Sequence, residues 1–248
     1  NYLSSSDSKT FTIDKAETST VVTCPTSVTY NGSAQEPCTA KVTGPGGLDQ
    51  SLTVTYQDNV NAGTATASAS YAGGANYLSS SDSKTFTIDK AETTTVVTCP
   101  TSVTYNGSAQ EPCSAVVTGP GGLNETLTVT YQDNVNAGTA TASASYAGGA
   151  NYLPSSDSKT FTIDKAESTT TVTCDPASVT YDGSAHEPCS AVVTRPGGLE
   201  ESLTVTYQDN INTGTATASA SYAESANYLS SSDSKTFTID KAESTTTV

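Results

Sequence analysis

The sequence predicts an all-β chain built as tandem antiparallel β-sandwiches, and three observations carry that prediction. The first is repetition. NYLSSSDSKTFTIDKAE begins at Asn1 and again at Asn76, returns with Pro154 in place of Ser at Asn151, and returns unchanged at Asn227, so the period is 75, 75 and then 76 residues. The second is short runs of alternating apolar and polar residues between Gly-, Asn- and Pro-rich turns, with no apolar residues at helical spacing. The third is one cysteine pair per period, Cys24 with Cys38, Cys99 with Cys113 and Cys174 with Cys189.

Along the first period, VVTC (21–24) is a β-branched run and SVTY (27–30) alternates. Asn31-Gly32 follows, the dipeptide of a two-residue type I′ hairpin turn, and AQEPCTAKVT is read as the returning strand. GPGG (44–47) breaks the chain. LDQSLTVTY (48–56) reads as one alternating strand with Leu52, Val54 and Tyr56 on one face. DNVNAG is a turn, TATASASYA a strand, GGANYLSSSDS a loop, and KTFTIDKA a closing strand that points Phe86 and Ile88 inward. Ala40 and Val42 face in and Lys41 out; position 41 is Val116 and Val192 in the other copies. That makes six or seven strands per period, the count and turn spacing of a sandwich.

The strand ends after TIDKAE, so the boundaries are expected there. Residues 1–17 read as the last strand of a preceding repeat, 18–92, 93–167 and 168–243 as three repeats, and 244–248 as the start of a following one. The pattern opens mid-repeat at Asn1, which reads as a piece of something longer. Linkers of two or three residues imply a stiff rod of beads. Residues 1–75 and 76–150 differ only at Ser19/Thr94, Thr39/Ser114, Lys41/Val116, Asp49/Asn124, Gln50/Glu125 and Ser51/Thr126. A catalytic site normally occurs once among specialised neighbours, whereas near-identical copies suit an additive role such as length, spacing or valency.

Composition narrows the partners. The net charge is −15, and Arg195 is the one arginine, so a phosphate backbone finds few cations here. No stretch approaches 18 apolar residues, the length of a membrane span. Zinc sites bring closely paired cysteines and histidines, but each pair here is 14 or 15 positions apart and His186 is the one histidine. Disulfides fit, and they place the chain in an oxidising, extracellular setting. A 75-residue unit with one Phe and no Trp buries little apolar mass. A disulfide closing a loop of about 15 residues removes unfolded-state entropy worth roughly 3 kcal/mol, which is comparable to the stability margin of so small a core.

These motifs resemble the bacterial Ig-like tandem repeats that carry a Y-x-G-x-A-Q signature, a NAGT turn and a closing GNY…TFTIxKA strand. Tyr30, Gly32, Ala34 and Gln35 match the first, Asn61, Ala62, Gly63 and Thr64 the second, and Asn76, Tyr77, Phe86, Thr87, Ile88, Lys90 and Ala91 the third. The resemblance covers the whole chain three times. It implies Ig-like sandwiches in large secreted or cell-surface proteins, where such modules are spacers in adhesins and stalks, and it brings no catalytic residues. The cysteine pair is not general to that family, and the third copy carries Asp182 and His186 in place of Asn and Gln.

Several chemistries can be weighed directly. A hydrolase needs an oriented base, and His186 occurs in one copy of three, where it replaces a glutamine. Glu200 and Glu201 follow a Gly-Gly loop and read as solubilising charges. No enzyme and no cofactor are expected. Calcium is the one ion entertained, at Asp58, Asn59 and Asn61 or at a junction near Asp14 and Glu17. Val60 stands where an EF-hand places its second ligand, and Asx turns account for the same letters. Ser and Thr are 23 of residues 76–150, many on outward faces, so O-linked sugar is expected to coat the chain. Candidate N-linked sites are Asn31, Asn106 and Asn124. The expected role is a stiff stalk, surface fibre or filament that self-associates or contacts neighbouring repeats of the same long chain. The alternative is a multivalent module binding glycans weakly through exposed aromatics, for which Tyr71, Tyr77, Tyr146, Tyr152, Tyr222 and Tyr228 are the candidates.

Overall fold

The computed structural model describes residues 1–246. The chain divides into two compact units, 1–95 with 116–127 and 145–156, and 96–115 with 128–144 and 157–248. In the first unit the strands of the first copy are β1 (Ser19–Thr23), β2 (Ser27–Thr29), β3 (Thr39–Gly44), β4 (Leu48–Leu52), β5 (Thr55–Gln57), β6 (Gly63–Tyr71) and β7 (Ser80–Asp89). They form two sheets, β1-β3-β4 and β2-β7-β6-β5. All neighbours are antiparallel except β2 and β7, which run parallel with Val28 opposite Ile88.

The core lies between the sheets. Val22 and Ala40 come from one sheet and Ala65, Ala67, Phe86 and Ile88 from the other, with Leu52, Val54 and Tyr56 packed at the margin. The alanine row on β6 keeps the layer thin, so one Phe and one Tyr, edge to face at 6.3 Å, suffice to fill it. Lys41 is exposed, as an outward position of β3 should be.

The second copy repeats the elements as β8 (Thr94–Thr98), β9 (Ser102–Thr104), β10 (Ser114–Gly119), β11 (Leu123–Leu127), β12 (Thr130–Gln132), β13 (Gly138–Tyr146) and β14 (Ser155–Asp164). In the second unit the third copy comprises β15 (Thr169–Cys174), β16 (Ser178–Thr180), β17 (Cys189–Arg195), β18 (Leu199–Leu203), β19 (Thr206–Gln208), β20 (Gly214–Tyr222) and β21 (Ser231–Asp240). Its sheets are β15-β17-β18 and β16-β21-β20-β19, the same order as in the first copy.

Three expectations need correction. Asn31-Gly32 does not close a hairpin. β2 leaves the β1 sheet to pair with β7, and residues 30–38 carry the chain back to β3. Gly32 alone of the pair takes a positive φ, +85°, while the Asn31 side-chain oxygen accepts from the Ser33 amide at 2.9 Å, an Asx turn. Residues 48–56 are not one strand. β4 and β5 belong to different sheets, and the apolar alternation runs on because the inward face is continuous across the step. SSDS is strand rather than loop, since β7 pairs with β6 from Ser80 onward. Residues 1–15 form no strand, although 5–14 spell the same SSDSKTFTID as β7, and Ala16 makes with Tyr77 the parallel bridge that Ala91 makes with Tyr152. Phe11 is 85% exposed, where Phe86, on β7 between β2 and β6, is 3% exposed. Of the stretch expected to open a following repeat, 244–246 form no strand and 247–248 lie outside the described residues.

Candidate functional site

The recurring polar and aromatic residues gather in three places: the disulfide corner, the first-strand edge, and the contact between one copy and the next. The corner forms where the chain changes sheets. Cys24 follows β1 and Cys38 precedes β3, and the bond between them, 2.07 Å long, closes the excursion that carries β2 to the other sheet. Cys99–Cys113 and Cys174–Cys189 repeat it, the last pair standing directly opposite in the β15–β17 ladder. The Tyr56 hydroxyl from the opposite sheet serves both main-chain groups of Cys38, and Tyr131 and Tyr207 do the same for Cys113 and Cys189.

At the edge of β1, the Val22 amide donates to the Asp82 carboxylate at 2.7 Å. Thr20 is buried and shares a hydrogen bond with Ser80, which also accepts from Thr18. Asp157 and Asp233 do the same for Val97 and Val172. A carboxylate held this way occupies an edge donor that would otherwise be open to a further strand. The Val172 amide, then that of Ser234, holds the Asp233 carboxyl below the usual carboxylate range.

The full contact between copies is made twice with the same residues, and its parallel bridge a third time, between Ala16 and Tyr77. In the first unit Ala91 forms a parallel bridge with Tyr152, donating to the Asn151 carbonyl at 2.9 Å and accepting from the Leu153 amide at 2.8 Å. The Asn151 side chain accepts from the Ala62 amide and donates to the Asn61 side-chain oxygen at 3.0 Å. Lys90 donates to the Gly149 carbonyl. The Tyr30 and Tyr152 rings meet edge to face at 5.4 Å, and the Tyr152 hydroxyl donates to the Pro120 carbonyl. Gly32 comes so close to Gly121 that a Cβ on it would stand 2.3 Å from the Gly121 Cα. In the second unit Ala166, Asn136, Ala137 and Tyr105 meet Asn227 and Tyr228 in the same way, with the rings again 5.4 Å apart.

The tyrosines expected as free surface aromatics are therefore mostly engaged. Tyr228 is buried against Tyr105, and burial pushes its phenol up. Tyr152 is half-buried against Tyr30, and the Tyr77 hydroxyl donates to Pro45. Tyr222 lies 5.2 Å beneath the Arg195 guanidinium and donates to Ser225. Tyr71 and Tyr146 are half-buried. The aromatics at the junction that sequence reasoning missed are Tyr30 and Tyr105. Their signal was present in the SVTY motif, whose Tyr recurs in every copy although the strand turns polar immediately after it.

The remaining candidates sit in turns. Asp58 has φ +57°, the Asn59 side chain donates to the Gln35 carbonyl, and Asn61 serves the junction. Asp14 and Glu17 are exposed. Asn31 and Asn106 are exposed in matching Asx turns, and Asn124 is exposed on β11. The third copy changes two of these positions together. Asn31 bonded to Gln35, and Asn106 bonded to Gln110, become Asp182 paired with His186 at 3.3 Å. Glu201 pairs with Arg195, and Glu200 is exposed.

Residues 170–243 match the model of the MBG domain, a span that coincides with the third copy. No curated protein matches the chain. No helix among the described residues is long and apolar enough to cross a membrane.

Proposed function

We propose that the chain is a stretch of a large extracellular structural protein in which Ig-like repeats, bounded near 18–92, 93–167 and 168–243, build a stiff stalk, surface fibre or filament carrying O-linked sugar. The observation that carries this reading is the junction. A ring pair, an asparagine bridge and a parallel β-bridge are made once by Tyr30, Asn61 and Ala91 and again by Tyr105, Asn136 and Ala166. A contact built from residues common to every copy can be extended by adding copies. The MBG match supports a module of a large extracellular protein, and the disulfides support an oxidising setting. No reaction and no metal are assigned. Electron microscopy of native material tests the proposal. Long uniform fibres with an axial repeat of one copy and extra density on Ser and Thr are expected. Particles without an axial repeat would overturn it, and flexible strings ending in a larger head would reduce the role to that of a tether.

A second reading, a multivalent adhesive module, is favoured by one observation. Strands β2, β5, β6 and β7 are identical letter for letter in all three copies, while all six differences between the first two copies fall on β1, β3 and β4 and their counterparts. The outward side of the uniform sheet is almost wholly hydroxyl, with Ser68 opposite Ser83, Thr66 opposite Thr85 and Thr64 opposite Thr87. Outward Ser and Thr carry little packing constraint, so their uniformity supports a shared role, either as sugar acceptors or as a glycan-facing surface. A groove of about 810 Å3 beside it is lined by Thr53, Thr55, Ser70, Ser81 and Asp82 and has no aromatic wall. Glycan binding by one, two and three copies separates the readings. Avidity rising steeply with copy number favours adhesion, and no binding at any copy number favours the structural role.

A further inference from the structure

We propose that Asn31 and Asn106 are sites of spontaneous backbone-assisted deamidation, with Asn106 the faster, so that the junctions carry a chemical clock. These are the two Asn-Gly pairs of the sequence, and both asparagines are exposed. Glycine adds no Cβ to shield its main-chain nitrogen, and it tolerates the backbone rotation that ring closure needs. The Gly32 nitrogen loses its proton to solvent base and attacks the Asn31 side-chain carbonyl carbon. The bond to the amide nitrogen breaks, ammonia leaves, and a five-membered succinimide remains. Water adds at one of the two ring carbonyls and opens it to aspartate, or to isoaspartate with the main chain running through the side chain.

The third copy shows what the aspartate product looks like in place. Asp182 keeps the turn, accepting from the Ser184 amide at 2.8 Å just as Asn31 accepts from Ser33 at 2.9 Å, and His186 stands beside it where the other copies have glutamine. The fold accepts an acid at this position, and the copy that has one places an imidazole beside it. In the first two copies the new charge would face Gln35 or Gln110.

The turns at Asn31 and Asn106 are alike, so any difference between the sites comes from the neighbouring copy. At Gly32 an added Cβ would lie 2.3 Å from the Gly121 Cα, while at Gly107 nothing lies within 4 Å of one, although φ is +85° and +86°. Ring closure must move the Asn31-Gly32 backbone against Gly121, and Asn106-Gly107 has open space.

The test is ageing of the full chain, produced without N-linked sugar, at mildly alkaline and mildly acidic pH. Peptide mapping by mass spectrometry reads amide-to-acid conversion, and isoaspartyl methyl transfer reads the isomer. Asn106 should convert first and Asn31 several-fold more slowly, both faster in alkali, while Asn59, Asn134 and Asn210, each followed by a β-branched residue, stay intact. Conversion at Asn31 and Asn106 no faster than at those three would overturn the proposal. Conversion of Asn31 ahead of Asn106 would overturn the role of packing. Tyr152→Ala removes the ring that holds the junction and should bring Asn31 up to the rate of Asn106; an unchanged rate would also count against packing.

Discussion

The Tyr56 hydroxyl donates to the Cys38 carbonyl at 3.1 Å and accepts from the Cys38 amide at 2.9 Å. One side chain from β5, in the four-stranded sheet, thereby satisfies both main-chain groups of the residue that anchors β3 in the other sheet. The ring also packs on Phe86. Covalent clip, hydrogen-bonded clamp and aromatic core converge on one corner.

Tyr56→Phe keeps the ring and strands the two Cys38 groups. An unsatisfied buried donor or acceptor costs about 1–3 kcal/mol. Urea unfolding of the variant should show that loss with an unchanged m-value, and a loss indistinguishable from zero would mean water replaces the hydroxyl.

Replacing Cys24 and Cys38 together by Ala frees a loop of 14 residues' separation. The expected destabilisation is about 3 kcal/mol from loop entropy. For a core this small that loss brings the first copy close to unfolding at room temperature, which equilibrium urea titration with the other two disulfides intact would register as a separate early transition.

Gly32→Ala and Gly107→Ala impose the same backbone strain, about 1–2 kcal/mol for a left-handed residue, because φ is +85° and +86°. Only Gly32→Ala also drives a methyl into Gly121. Amide exchange at Ala91 and Leu153, which bridge the copies, should accelerate in the first variant, while exchange at Ala166 and Leu229 should stay near its original rate in the second. Equal effects on the two bridges would refute the close approach.

Asp233 is held below the ordinary carboxylate pKa by the Val172 amide. The native state therefore binds its proton more weakly than the unfolded chain. The stability this contributes is complete above the unfolded value of about 3.9 and is lost as pH falls through the lower folded value. Acid titration of unfolding should show a shallower decline for Asp233→Asn than for the parent. A parallel decline in both would show that the carboxylate does not participate.

Much of the architecture was legible because alternation reports burial. Phe86, Ile88, Ala40 and Val42 read as inward, and they are buried. Sheet assignment was not legible. Leu52, Val54 and Tyr56 alternate without a break while the chain passes from one sheet to the other, because both inner faces bury the same kind of residue. Asn31-Gly32 misled because the dipeptide reports a tight turn and not the partner strand, which β7 supplies from far along the chain. The polar SSDS segment misled because hydroxyls on an outward face look like loop. The junction stayed hidden because tyrosines that pack against another copy have the same letters as tyrosines that face solvent.

The closing strand appears four times as the same ten letters, at 5–14, 80–89, 155–164 and 231–240, and three of these occupy a slot between neighbours. Side-chain complementarity cannot tell the four apart, since each would place an identical Phe and Ile in any of the three cores. What discriminates is tethering. The short connection 72–79 keeps β7 beside β6 at an effective concentration in the millimolar range, which a distant or foreign segment does not reach. Correct pairing is thus a matter of contiguity rather than recognition, and crowded, simultaneously unfolded chains would be prone to exchange closing strands.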